Sequence, residues 1–154
     1  MNIMYIHIYN NLIKLTRNKN LYNYSKQDTF YDRMIIFFFH IGFLLKNYKK
    51  IESKDNLQKF FDFCIKQLEL SIREIGYGDA TINKKMKDYI NLLFSLIDKI
   101  DDWENLNNNQ KEKIIKDYVD EVKDYKIFLD YIEKYRSFLA KNSFKNLSKD
   151  IINL

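Results

Sequence analysis

Few side chains in this sequence have the types and spacing that chemistry needs. There are two histidines, His7 and His40, a single cysteine, Cys64, and an acidic run of Asp98, Asp101, Asp102 and Glu104. The histidines stand far apart, and no His-Glu-x-x-His, zinc-ligand or phosphate-loop spacing surrounds either of them. His40 lies between Phe39 and Ile41 and reads as a core or helix-packing histidine rather than a ligand. Cys64 sits between Phe60 and Leu68 on an apolar stripe, where a thiol is a small buried hydrophobe before it is a nucleophile. One cysteine also rules out an internal disulfide framework and a multi-cysteine metal site. Gly76-x-Gly78 lacks the preceding strand and third glycine of a dinucleotide fingerprint, so it reads as a helix terminator. The three aspartates read as a solvated face, because a hard-cation site needs oxygens converging from a shaped loop. No catalytic residue, metal ligand or cofactor is expected. An enzyme here would need a dispersed site with strongly perturbed ionisable groups around a deep pocket.

The most informative chemistry is charge. Lys84, Lys85 and Lys87 crowd the first turns of a helix that follows the glycine pair, where the macrodipole is already positive. Each such cation costs on the order of 0.3–1 kcal/mol at an exposed site. Arg73 stands just before the turn, and only Glu74, Asp79 and Asp88 relieve the cluster. Either water and salt screen these charges, or they face an anion or an acidic partner. The chain as a whole carries +5, and the excess is uneven. Residues 1–50 hold eight Lys/Arg against two Asp/Glu, a net +6, and the remainder holds 18 against 19, a net −1. Lysine and asparagine richness reads first as the mark of an AT-biased genome. An excess confined to the first third also suits RNA, a lipid head group or an acidic protein.

The elements that must position these residues are helices. With 154 residues, no proline, three glycines and 46% hydrophobic residues, the chain has room for one domain with a real core and too few turn formers for an all-β fold. The expectation is an all-α, single-domain bundle of about five to seven helices spanning residues 1–154, built around a central αα-hairpin. Leu57, Phe60, Phe61, Cys64, Ile65, Leu68, Ile72 and Ile75 recur at helical steps, with Asp55 and Gln58 as a capping box at the start. Gly76 and Gly78 end that helix, Asp79 or Thr81 caps the next, and Met86, Tyr89, Ile90, Leu93, Ile97 and Ile100 continue the period. Upstream, Asp28 or Thr29 caps a helix running to about Lys50, apolar on every side and therefore central. Its run Met34 to Leu45 is roughly 18 Å long as a helix, against about 30 Å of hydrocarbon, too short to span a bilayer. Core burial is the first reading and shallow membrane contact the second. A shorter helix covers 3–18, Asn105 to Asn109 forms a loop, two helices follow over 110–123 (Ile114, Ile115, Tyr118, Val122) and 125–141 (Phe128, Ile132, Tyr135, Leu139), and a short tail helix closes the chain. The N-terminal stretch lacks the pattern of a secretory signal.

These residues also carry a resemblance. Ile72-Arg73-Glu74-Ile75-Gly76-Tyr77-Gly78-Asp79, followed after four residues by Lys84-Lys85-Met86-Lys87, resembles the Leu-Arg-Glu-Met-Gly-x-Gly-Asp element and Lys-Arg-Met stretch of the ubiquinol–cytochrome c chaperone family, assembly factors of respiratory complex III. Asp28-Thr29-x-x-x-Arg33 followed by His40 is similar to the family's Asp-Thr, Arg and Leu-His pattern, and Arg17 with Tyr22 to its opening Arg and Tyr. Leu139-Ala140-Lys141-Asn142 echoes an Arg-Asn near the family's end. The resemblance covers roughly residues 9–100. Ile72 and Ile75 replace Leu and Met at little cost in volume, whereas Lys85 and Lys141 stand where Arg is usual and would alter any bidentate contact. With no mitochondrial presequence ahead of it, the chain looks like a compact bacterial-type member.

The resemblance implies a non-catalytic chaperone that holds newly made cytochrome b, with no small-molecule substrate and no cofactor. It also leaves room for a small partner subunit, a ribosome or peripheral membrane contact. Its place would be the cytoplasm at the inner face of the membrane, or the matrix side of the inner membrane in a eukaryote. The candidate partner-binding residues are Arg33, His40, Arg73, Glu74, Tyr77, Asp79, Lys84, Lys85 and Met86, with Gly76 and Gly78 shaping the turn. Arg73 and Glu74 could instead brace the corner internally against Asp79 and Lys84. The physical expectation is a cationic tip beside an apolar, aromatic groove. The alternative function is a general RNA- or ribosome-binding helical module, whose affinity would fall steeply with salt.

Overall fold

Thr29 sets the start of the central helix. Its hydroxyl accepts the Asp32 N–H at 3.2 Å while the Asp32 carboxylate accepts the Thr29 N–H at 3.5 Å, so two otherwise orphaned donors are satisfied reciprocally. The computed structural model describes residues 3–21, 29–119, 124–149 and 154. Tyr22, Asp28 and Val122, on which the sequence expectations drew, lie outside the described residues. Among the described residues the chain forms six α-helices: α1 (Ile3–Thr16), α2 (Phe30–Tyr48), α3 (Lys54–Ile75), α4 (Asp79–Ile100), α5 (Asn108–Tyr118) and α6 (Tyr125–Lys141). Short 3-10 turns lie at Lys19–Leu21, Trp103–Asn105 and Lys145–Ser148. The all-α bundle is therefore as expected, and the described part of the tail holds the last of these turns.

α2 is buried nearly all round, from Met34 through Leu44 and again at Tyr48. Such a helix needs neighbours on every side, and α1, α4 and α6 supply them. α1 buries the stripe Tyr5, Ile8, Leu12 and Leu15. On the same face the Asn11 side chain donates to the carbonyls of Leu147 and Lys149, both at 2.8 Å, which ties the last 3-10 turn to the first helix. Gly42 lets α2 approach α4 closely, since a Cβ there would stand 3.1 Å from Ile100 Cδ1.

Two caps differ from the sequence expectation. α3 begins at Ser53, whose hydroxyl accepts the Asn56 N–H at 3.1 Å, so Asp55 and Gln58 form no capping box; the Gln58 amide donates to Asp62 instead. α4 begins at Gly78, and no side chain caps it. Asn107, expected within a loop, forms a complete capping box with Gln110 and starts α5. No helix among the described residues is long and apolar enough to cross a membrane.

Candidate functional site

α3 and α4 form the expected antiparallel hairpin. Phe61 and Phe94 stack face to face, 5.7 Å between centroids at 15°, and the midpoint of that pairing falls at Tyr77–Gly78. Gly76 closes α3 in the left-handed region at φ +104°, where a Cβ is strained. Gly78 has φ −74° and ψ 162°, extended backbone that any residue adopts. Open space surrounds the Cβ position of both glycines. The expectation that both glycines shape the turn is thus corrected to Gly76 alone.

The corner projects beyond its supports. Tyr31 of α2 lies beside Tyr89 and Gly42 lies against Ile97 and Ile100, so α2 runs parallel to α4 and starts about ten residues, or ~15 Å, past the α4 N-terminus. Residues 73–81 are accordingly all exposed. Within the corner Arg73 donates to Asp79 at 2.6 Å and reaches Glu69 at 3.5 Å. This is the Arg73–Asp79 half of the internal brace foreseen for the corner, joined by Glu69; its Glu74–Lys84 half does not form among the described residues. The two carboxylates hold the guanidinium charged: hydrogen bonding to Asp79 raises its pKa further and outweighs desolvation. Lys85 sets its ammonium 4.7 Å from the centre of the Tyr77 ring, a cation–π contact. Glu74 and Lys84 are exposed and form no ion pair among the described residues. Met86 is half-buried against the core, and Arg33 is exposed near the start of α2. Two apolar side chains remain uncovered at the tip, Ile75 at 50% and Tyr77 at 42%.

His40 is elsewhere. It is 2% exposed, and its Nδ1 lies 2.8 Å from the Ile36 carbonyl and its Nε2 2.5 Å from the Tyr131 hydroxyl. A carbonyl only accepts, so Nδ1 carries the hydrogen and Nε2 accepts from Tyr131. Tyr135 donates to the His40 carbonyl at 2.8 Å. Burial holds the imidazole pKa down to about 4, against a smaller opposing effect of the Ile36 hydrogen bond. The core reading of His40 therefore holds, and its place among the partner-contact residues is corrected: a side chain sealed between α2 and α6 positions those helices and touches nothing outside. Cys64 is likewise buried, and burial pushes its thiol pKa far up.

Two surface features lie at the opposite end of the hairpin. An apolar groove of about 430 Å³ opens between the first half of α3 and the second half of α4 over the end of α2, walled by Leu57, Phe61, Phe94 and Ile97. It is about 20 Å along α3 from Gly76. The expectation of a cationic tip beside an oily groove is thus corrected: the groove lies toward the far end of the hairpin, over Leu45 and Lys49 at the end of α2. Beside the groove, a polar cleft of about 540 Å³ contains Lys46, Lys49, Arg136 and Glu104. Lys46 pairs with Glu104 at 3.0 Å and Lys49 with Asp101 at 2.7 Å, so Asp101 belongs to a surface ion-pair network. The Lys49 hydrogen bond and charge hold its carboxyl low.

Trp103, in the acidic stretch, is fully buried against Phe43. Its indole N–H donates to Glu133 at 2.9 Å, and Lys111 and Arg136 reach the same carboxylate at 3.2 and 2.9 Å. Burial alone would raise the Glu133 pKa, but these partners outweigh it and hold the carboxyl low. The latch of Trp103, Lys111 and Glu133 and the Phe61–Phe94 groove were not marked as a site in the sequence. A tryptophan inside an acidic stretch was the one signal available for the latch.

The family model described as Ubiquinol-cytochrome C chaperone matches residues 23–124, about two thirds of the chain. The match includes α2, the hairpin and α5. It begins after Arg17 and Tyr22, ends before Leu139–Asn142, and continues through the acidic stretch where the resemblance was expected to fade. No curated protein and no solved structure matches the chain.

Proposed function

The chain belongs to the ubiquinol–cytochrome C chaperone family, and from that premise we propose that it is a non-catalytic assembly chaperone that binds newly made cytochrome b, at the face of the membrane where that client is inserted. The observation that carries this reading is the uncovered corner of the hairpin inside the family-matched span. Ile75 and Tyr77 stand exposed on a tip held by two long helices, beside Arg73, Lys84 and Lys85. Exposed apolar side chains rimmed by charge suit a protein surface better than a small molecule. The exposed brace of Arg73, Asp79 and Glu69 ties the end of α3 to the start of α4 across that tip. Glu74 belongs to the same candidate surface, while Met86, half-buried against the core, and Arg33, near the start of α2, stand back from the tip as outlying candidates. Placing a photoreactive residue at Tyr77 and irradiating growing cells tests it. Cytochrome b is expected among the adducts, and less of it when Ile75→Asp is added. Adducts without cytochrome b, together with normal complex III in cells lacking the chain, would reject the reading.

A further inference from the structure

The groove at the open end of the hairpin has a chemistry distinct from the corner. Its walls are apolar and include an aromatic ring left 52% exposed at Phe94, although Phe94 already stacks on Phe61. An exposed ring held in a fixed stack is a preformed anchor rather than a loose side chain. Among the described residues no carboxylate lines the groove, while Lys49 and Lys54 do. Lys49 is neutralised by Asp101 at 2.7 Å, whereas Lys54 is exposed and forms no ion pair among the described residues. The groove is therefore greasy along one helical turn, from Leu57 to Phe61, and cationic one turn further on.

Its shape decides between occupants. A small ligand or single acyl chain needs cover over most of its surface, commonly about 70–90%, and this groove is open to solvent along one side. An occupant that must bury only one face fits better, and an amphipathic helix is such an occupant. We propose that the groove docks an amphipathic helix of a partner protein that presents two apolar side chains one turn apart and a carboxylate one turn beyond them. The apolar pair fills the space between Leu57, Phe61, Phe94 and Ile97, over Leu45 of α2, and the carboxylate meets Lys54. This goes beyond the client contact proposed for the corner. The two surfaces are about 20 Å apart along α3 and fail separately, since loss of the Tyr77 adduct would leave peptide binding at the groove intact.

The test uses the full chain and a fluorescein-labelled synthetic amphipathic peptide with two leucines one turn apart and paired aspartates one turn on. A twin peptide carries lysines in place of the aspartates, and vesicles of anionic and of neutral phospholipid complete the set. The acidic peptide is expected to bind saturably and about tenfold more tightly than its twin, a difference of about 1.4 kcal/mol. Phe94→Ala and Lys54→Glu are each expected to weaken it by about as much, and Tyr77→Ala to leave it unchanged. Lys54 is exposed, so its variant reads the docking even if Phe94→Ala lowers the melting temperature. Equal affinity for the twins, insensitivity to Lys54→Glu, or retention on anionic vesicles with no binding of the peptide would each overturn the proposal.

Discussion

The corner of the hairpin and the interior around α2 are built on opposite terms. From Arg73 to Thr81 every residue is exposed, and what order the corner has comes from one left-handed glycine and an ion-pair brace. Around α2 the polar groups are sealed and satisfied: His40 between Ile36 and Tyr131, Tyr135 on the His40 carbonyl, Trp103 on Glu133. The residues that carry the family resemblance divide between these two regions. Arg73, Glu74, Asp79, Lys84 and Lys85 stand at or near the surface, and His40 stands inside. The motif therefore pairs a proposed job, contact at the tip, with a second, the docking of α2 on α6. The second job draws on Tyr131 and Tyr135, which lie outside the matched span of 23–124.

The sharpest way to break the contrast is to remove the largest buried ring. Trp103→Ala is expected to cost about 3–5 kcal/mol in urea denaturation, because it empties a sealed site beside Phe43 and strips Glu133 of a donor. Tyr77→Ala at the tip should stay within about 0.5 kcal/mol. Comparable costs for the two would abolish the distinction.

Acid should act on the interior next. Above the ordinary histidine value of 6.5, His40 is neutral whether the chain is folded or not, and its contribution is complete. As pH falls below 6.5 the unfolded chain takes up a proton that the buried ring, held at about 4, refuses. Stability therefore drops between those values and levels off below the lower one. The shift corresponds to about 3 kcal/mol. Denaturation midpoints measured across that range should show the slope in the wild type and lose most of it in His40→Gln. A slope that His40→Gln leaves untouched would mean that the burial of this ring is not what acid disturbs.

A smaller effect separates the two glycines of the corner itself. Gly76→Ala forces a Cβ into the left-handed region and should cost about 1–2 kcal/mol. Gly78→Ala meets open space at an ordinary φ and should fall within about 0.5 kcal/mol. Equal costs would return Gly78 to a share in shaping the turn.

Much of the fold was legible because it rests on local rules. The three- and four-residue spacing of Leu57 through Ile72 defined α3, Thr29 (one of the two caps the sequence offers) announced the start of α2, and an apolar run unbroken on any side marked α2 as central. The Ser53 cap was passed over because Asp55 and Gln58 offer the same pattern two residues later, and only the backbone shows which oxygen meets an N–H. The site was legible in part. The cationic corner follows from Gly76 and from the lysines after it. The place of the groove does not, since it depends on where α2 ends against the hairpin, a tertiary outcome. His40 could be read as a core residue from Phe39 and Ile41, but its partner Tyr131 is 91 residues away and leaves no local trace. The Trp103–Glu133 contact is hidden in the same way, by its dependence on how α6 docks.

The central claim, that the exposed corner carries the chaperone contact while the interior carries the fold, is tested most directly by Ile75→Asp combined with Tyr77→Asp in cells. Assembled complex III is quantified, and the purified variant is melted alongside. Complex III is expected to fall while the melting temperature stays near that of the wild type. Normal complex III in cells making this soundly folded variant would contradict the account.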